Sequence, residues 1–226
     1  MRTAFIFFLL ITTLQAQSWS HTTRVDSIVT ISLPAAPEMN DTAGVIQVLL
    51  NMDSVVVSLT RLPSPAPVPN PRALTEHYDG LCQGFLGEVN GQPIDMHDTV
   101  IAGIKMRHLY FSYTYPKPPQ PFGAKLKPGT DTTMQTDYRR CWFWLVNKQV
   151  YALQYWYMGP EKPEQAAFAE TLIKNVQFTS GLSADNQLYS PPAVGPSSSD
   201  LSWMFFVGAF IFLMIGYLLW KRWQRR

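Results

Sequence analysis

Apolar residues between positions 26 and 62 fall into three short runs. The runs are SIVTISL, VIQVLL and SVVVSLTRL, and their β-branched residues favour strands. Asn51, Met52 and Asp53 separate the last two runs and predict a hairpin loop. Residues 63–71 then contain five prolines in nine positions, which excludes a helix or a central strand there. We therefore expect three strands followed by an extended connection.

A helical repeat follows this connection. Apolar residues recur at intervals of three and four positions, which is the spacing of one helix face. These residues are Leu74, Tyr78, Leu81, Cys82, Phe85 and Val89. Gly91 supplies a stop signal. A second, shorter helix is predicted over residues 163–174, where Pro163 suits the first helical turn.

Three further strands are predicted over residues 99–115, 134–146 and 149–158, with a bend at Gly103. If the two residues between the last two strands form a tight turn, Val146 pairs with Gln149. This register separates two faces of the hairpin. One face carries Tyr138, Arg140, Trp142 and Trp144 opposite Tyr157, Tyr155, Leu153 and Tyr151. The other carries Cys141, Phe143 and Leu145 opposite Gln154, Ala152 and Val150.

The aromatic face of this hairpin has two interpretations. Large aromatic side chains fill the layer beneath a helix in a sandwich, which favours a core position. Aromatic side chains also dominate binding interfaces, so the face is a candidate stacking platform for a glycan or a partner peptide. The candidate binding residues are Tyr138, Arg140, Trp142, Trp144, Tyr151 and Tyr155.

The order of these elements is strands, helix, strands, helix. This order predicts an α+β fold, in which helices pack on an antiparallel sheet as an α/β sandwich. Together with the segments SIVTISLPAAPE and YALQYWYMGPEKPEQAAFAETLIKNVQF, it resembles the exported PsbP-like α/β/α sandwich domains over residues 24–180. The resemblance implies a non-catalytic accessory or assembly role. It carries over no catalytic residue.

The two ends of the chain predict export and a single membrane span. Residues 1–16 have the positive start, apolar run and small final residue of a secretory signal peptide. Residues 201–220 carry no charge and have the length of a transmembrane helix. The basic residues of 221–226 predict a cytoplasmic tail. Residues 181–200, rich in Ser, Pro and Gly, predict a linker, so the domain over residues 17–180 is expected outside the cytoplasm, in a periplasmic or extracellular position.

The distribution of charge excludes one class of partner. The net charge is +2, but all 16 acidic residues and only 13 of the 18 basic residues lie between the two end segments. The central domain is therefore mildly acidic and has no basic patch for nucleic acid. The expected partners are the membrane, through one span, and other envelope proteins.

The two cysteines, Cys82 and Cys141, leave two alternatives. An exported chain reaches an oxidising compartment, where a disulfide could join the helix to the sheet. The other alternative is two buried free thiols.

Candidate catalytic and metal-binding groups are few. The four histidines are His21, His77, His97 and His108, and no HExxH, GxSxG, SxxK or CxxC spacing occurs. Asp95, His97 and Asp98 lie together in a predicted turn, but neighbouring side chains point in opposite directions and nothing supplies the other ligands of a metal site. We therefore predict neither a catalytic residue nor a metal or cofactor.

These observations favour a membrane-anchored, extracytoplasmic binding or accessory protein that is not an enzyme. One alternative is an anchored domain that binds a small ligand or glycan through the aromatic face. A second alternative is a hydrolase that uses the Asp95–Asp98 turn or the helix of Cys82, and this requires another acid or base within hydrogen-bond reach.

Overall fold

The computed structural model describes residues 18–52, 55–64, 66–116 and 134–190 of the chain. These residues contain ten strands, two α-helices and a short 3₁₀ helix over Ala184–Gln187. The strands are β1 His21–Arg24, β2 Val29–Leu33, β3 Glu38–Thr42, β4 Val45–Met52, β5 Val55–Pro63, β6 Gln92–Ile101, β7 Ile104–Pro116, β8 Met134–Val146, β9 Gln149–Met158 and β10 Val176–Phe178. The helices are α1 Pro71–Val89 and α2 Pro163–Lys174.

The described elements form three layers around a central antiparallel sheet. This sheet has seven strands in the order β3-β4-β5-β9-β8-β7-β6, and a smaller sheet has the order β1-β2-β10. Helix α1 packs on one face of the large sheet. Helix α2 and the small sheet cover the other face. The central strands β8 and β9 are therefore buried on both sides.

The strands predicted between positions 26 and 62 are confirmed as β2, β4 and β5. The connection between β4 and β5 differs in detail, because Asn51 and Met52 continue β4 and Met52 pairs with Val55. The predicted loop position Asp53 lies outside the described residues.

The hairpin of β8 and β9 is confirmed together with its register. Asn147 and Lys148 have φ angles of 48° and 63°, as expected for a two-residue turn that matches the twist of the flanking strands. Val146 pairs with Gln149, and the register continues without a shift to Asp137. The two faces are therefore those that the sequence predicts.

Helix α1 confirms the predicted helical repeat. It begins after Asn70, whose Oδ1 accepts a hydrogen bond from the Ala73 amide at 2.9 Å, a typical N-cap. It ends at Val89, and the next residue, Asn90, has a φ of 50°, so Asn90 rather than Gly91 adopts the left-handed conformation of the stop. The buried face consists of Leu74, Tyr78 and Cys82.

Three strands, β1, β3 and β6, escape prediction because their side chains are mostly exposed. Strands β3 and β6 lie at opposite edges of the large sheet, and neither contains a buried residue. The chain turns back between β6 and β7 at Ala102 and Gly103, whose φ angles are 49° and 79°. The predicted bend within one strand is therefore a tight hairpin turn between two strands.

The predicted fold class, an antiparallel sheet with helices packed on it plus one C-terminal transmembrane helix, is corrected by the structure. Strands account for 53% of the described residues and helices for 23%, so the fold is an α+β sandwich-like arrangement dominated by antiparallel sheet. The physical reason is that polar edge strands form backbone pairs that hydropathy alone does not reveal. Neither of the described helices has the length and apolar character needed to cross a membrane. The predicted segments 1–16, 201–220 and 221–226 lie outside the described residues.

The first half of the predicted linker is part of the folded domain. The side chain of Gln187 is fully buried against α1, β7 and β8. Its Oε1 accepts from the Lys105 amide at 2.8 Å, and its Nε2 donates to the Lys105 carbonyl at 2.8 Å. The same nitrogen lies 3.0 Å from the Tyr78 hydroxyl and 3.1 Å from the Leu145 carbonyl. These bonds hold the chain after α2 against the sheet, whereas residues 191–200 lie outside the described part.

Replacing Gln187 by Ala should destabilise the domain by about 3 kcal/mol, because buried backbone groups of Lys105 and Leu145 lose their partner. The measurement is urea-induced unfolding of the full-length protein. Gln177→Ala, at an exposed position of β10, is the matched control and should change the free energy of unfolding by less than about 0.5 kcal/mol. Equal effects of the two replacements would contradict the structural role of Gln187.

Asp26 joins the small sheet to the large one. Its Oδ1 accepts from the amides of Ile28 and Val29 at 2.7 and 2.8 Å. Its Oδ2 accepts from the Tyr151 hydroxyl at 2.7 Å and forms an ion pair with Arg61 at 3.4 Å. Burial opposes ionisation, but these hydrogen bonds outweigh it and lower the pKa of the Asp26 carboxyl below its usual value.

Asp26→Asn should destabilise the fold by about 1–3 kcal/mol at neutral pH, since the ionised carboxylate is the form that the hydrogen bonds favour. The lowered pKa contributes stability above the pKa of the unfolded chain, and this contribution is lost as the pH falls below about 4. Urea unfolding at several pH values should therefore show the gap between wild type and variant shrinking in acid. Asp41→Asn, on the exposed edge strand β3, is the control, and a pH-independent gap for Asp26→Asn would refute the assignment.

Candidate functional site

The edge of the large sheet brings three metal-ligating side chains together. Asp95 and His97 lie two residues apart in β6 and share one face, because side chains alternate along a strand. The tight turn after β6 pairs His97 directly with His108 of β7. The sequence predicts a turn over Asp95–Asp98, whereas the structure places these residues in an edge strand.

The ligand atoms of these three residues are close to one another. Asp95 Oδ2 lies 2.9 Å from His97 Nδ1 and 3.6 Å from His108 Nδ1. The three ligand atoms all lie within 4.8 Å of one another. The side chains of Asp95 and His97 are 52% and 55% exposed, and that of His108 is 4% exposed. The group therefore has a solvent-facing side and a buried base.

His108 forms the buried base of this group. Its ring centroid lies 4.7 Å from that of His97 and 5.2 Å from that of Trp142 on β8. Burial, together with the positive charge of Arg140, lowers the pKa of His108 to about 4, although Asp95 opposes this shift. The imidazole is therefore neutral at pH 7. Neither ring nitrogen has a hydrogen-bond partner among the described residues.

An ion pair lies beside this group on the same face of the sheet. Arg140 Nε and Nη2 donate to the two carboxylate oxygens of Glu161, each at 2.7 Å. The guanidinium also lies 4.7 Å from the centre of the Tyr110 ring. Burial opposes ionisation of Glu161, but the bonds from Arg140 outweigh it and lower its pKa. Arg140, a predicted binding residue, is therefore committed to an internal partner.

The other predicted binding residues lie mainly in the core. Trp142, Trp144, Tyr151 and Tyr155 are at most 5% exposed, and Tyr138 is half-buried. They lie beneath α2 and the small sheet. The Tyr155 ring, for example, stacks on Phe168 of α2 at 5.2 Å. The aromatic face is thus filled by the fold and offers no open platform to a ligand.

Of the two alternatives for the cysteines, the structure describes the free thiols. Cys82 of α1 and Cys141 of β8 are both buried free thiols in the same apolar layer. Burial raises the pKa of Cys82 to about 12 and that of Cys141 even further. A thiolate is the form that reacts in disulfide exchange and in nucleophilic catalysis. Both cysteines therefore act as small apolar side chains, and Cys82 is unsuited to the hydrolase alternative.

The segment Asp95–Asp98, which the hydrolase alternative uses, places its side chains on both faces of the sheet. Asp98 points to the face opposite Asp95, where its carboxylate accepts from Arg107 Nε at 2.6 Å and pairs with Lys105 Nζ at 2.7 Å. Burial opposes ionisation of Asp98, but these cations outweigh it and lower its pKa. Asp98 is therefore bound to structural partners and does not converge with Asp95 and His97.

His108 is the residue that sequence reasoning missed. The available signal is the pair Ala102-Gly103, because a two-residue turn there pairs Ile101 with Ile104 and, four residues further from the turn, His97 with His108. Treating Gly103 as a bend within one strand conceals that pairing. The remaining histidines lie elsewhere: His21 is exposed on β1 and His77 is half-buried on α1.

Comparison with known proteins shows no family. No protein-family model and no curated protein matches the chain. A crystal structure from Bacteroides thetaiotaomicron VPI-5482 is similar with a TM-score of 0.36 and 8% sequence identity, over 68% of this chain and 46% of that one. This chain thus spans about half the length of that protein, and the similarity is too low to inform fold or function.

Both cysteines should react with a thiol-labelling reagent only after denaturation, because each is buried and each has a raised pKa. The measurement is mass spectrometry of the full-length protein, labelled without reductant in native buffer and in concentrated denaturant. We expect no label in the native protein and two labels per chain in the denatured one. Absence of label after denaturation would show that the disulfide forms.

Proposed function

We propose that this protein is an extracytoplasmic, non-catalytic accessory protein that binds a protein partner of the cell envelope through strand β6. The observation that carries this proposal is the open outer edge of β6. In the described part of the chain, β7 is the only strand that pairs with it. No other described strand pairs with the backbone groups on the other side, and such a row of groups suits the addition of a strand.

The side chains of β6 suit such a contact. Ile94, Met96 and Val100 are exposed apolar residues, and Val100 is 66% exposed. Long exposed edge strands with apolar side chains are sites where another chain pairs. Because an extended partner gains both backbone hydrogen bonds and apolar contacts there, β6 favours a partner segment in extended conformation.

The opposite edge of the sheet is a natural comparison. Strand β3 is five residues long, against ten for β6, and includes Glu38 and Asp41. Short edge strands that carry charge resist pairing with other chains. Both edge strands carry two carboxylates, so the difference between the two edges is length, and the longer β6 offers more backbone groups to an added strand.

The internal pairing of three carboxylates favours a binding role over a catalytic one. The carboxylates of Asp26, Asp98 and Glu161 are each held by internal donors. The pattern of residues 1–16 and the resemblance to exported PsbP-like domains support a location outside the cytoplasm and an accessory role. The glycan-binding alternative loses support because its aromatic platform is buried.

Site-specific photo-crosslinking in the native cell tests the proposal. A photoreactive amino acid replaces Val100 on β6 in one variant and Met39 on β3 in the matched control, since both positions are exposed and apolar. We expect one defined protein adduct from position 100 and none from position 39. Adding the charged replacement Met96→Lys should strongly reduce the adduct, because a charge on an edge strand disfavours pairing.

Two results would overturn this function. One is the absence of any adduct from position 100 in a chain that is correctly folded. The other is the same set of adducts from positions 39 and 100, which would indicate contact by proximity alone.

A further inference from the structure

The donor set at the sheet edge is of the kind that transition metals bind. Asp95, His97 and His108 supply one carboxylate and two imidazoles, which is a ligand set of zinc sites. Nitrogen donors disfavour Mg²⁺ and Ca²⁺, which bind through oxygen ligands. A strand that presents two ligands two residues apart, with a third directly opposite on the next strand, places all three on one face.

The distances between the ligand atoms suit a small tetrahedral site. Zinc–ligand distances of about 2.0–2.2 Å separate two ligands of a tetrahedron by about 3.3–3.6 Å. The observed separations of Asp95 Oδ2 are 2.9 Å to His97 and 3.6 Å to His108. The three ligand atoms all lie within 4.8 Å of one another, and the half-exposed side chains of Asp95 and His97 have room to adjust around an ion.

His108 provides the second, independent observation. It is a polar side chain with 4% exposure, and neither of its ring nitrogens has a hydrogen-bond partner among the described residues. Leaving a buried polar group without a partner is costly. A metal ion bound by one of these nitrogens would give His108 a partner in the position where the ring already faces His97 and Asp95.

Neighbouring residues restrain the His108 ring and compensate the positive charge of Arg140. Trp142 packs against His108 with ring centroids 5.2 Å apart and an interplanar angle of 36°, which restrains the imidazole. Arg140 is the nearby cation on β8, and its charge is compensated by the bidentate pair with Glu161. The carboxylate of Asp95 adds a negative charge directly at the site.

The geometry points to a divalent transition-metal site of the zinc class formed by Asp95, His97 and His108. Three protein ligands leave a fourth position on the exposed side, open to water or to a ligand atom from a bound partner. The site does not depend on the proposed pairing of β6 with another chain. It lies on the same strand, so an ion there would also brace the two strands of the edge hairpin.

Metal binding is tested on the full-length protein without a histidine tag, after a chelator has removed bound metal. Isothermal titration with ZnCl₂ should show about one Zn²⁺ per chain, and Co²⁺ should give the visible absorption of tetrahedral coordination. His97→Ala and Asp95→Asn should each weaken Zn²⁺ binding about 10-fold or more. His21→Ala removes an exposed histidine from β1 and should leave binding unchanged.

His108→Gln removes the buried ligand and should also weaken binding, but a core replacement can disturb the fold. The two exposed variants, Asp95→Asn and His97→Ala, therefore decide the question. The site is overturned if the wild type binds no Zn²⁺, if binding survives both exposed replacements, or if His21→Ala weakens it equally. Displacement of Zn²⁺ by equimolar Mg²⁺ would also refute a nitrogen-ligated site.

Discussion

The register of the β8–β9 hairpin is the constraint on which the rest of the domain depends. Asn147 and Lys148 form a two-residue turn and set Val146 opposite Gln149. A slip of one residue would exchange the two faces of the hairpin. The aromatic side chains would then meet α1, and the small side chains around Cys141 would meet α2. The present register matches each face to the layer that covers it.

The same register positions the candidate site on the next two strands, β7 and β6. Strand β7 pairs with β8 so that His108 lies opposite Trp142, and β6 pairs with β7 so that His97 lies opposite His108. The centre of the sheet therefore determines which face the three ligands occupy. That face is the one under α2, but at its uncovered edge, where a neutral buried histidine meets exposed partners.

The division between core and edge explains how far the site could be predicted. Asp95 and His97 are visible in the sequence as neighbours with ligating side chains, yet their face depends on the strand assignment of an exposed segment. His108 is eleven residues from His97, and only the backbone pairing across Ala102-Gly103 makes them neighbours. The aromatic residues attract attention in the sequence, but they serve the core. The chemistry lies where apolar patterning is weakest.

The sequence by itself determined the elements whose burial is periodic: strands β2, β4, β5, β8 and β9, both helices, and the faces of the central hairpin. It did so because apolar spacing and turn residues are local signals. The tertiary structure alone decided the edge strands β3 and β6, the docking of Gln187 into the domain, the free state of Cys82 and Cys141, and the grouping of Asp95 with His97 and His108. These features depend on backbone pairing and on contacts between residues far apart in the chain, and a polar segment carries no local pattern that specifies its partner.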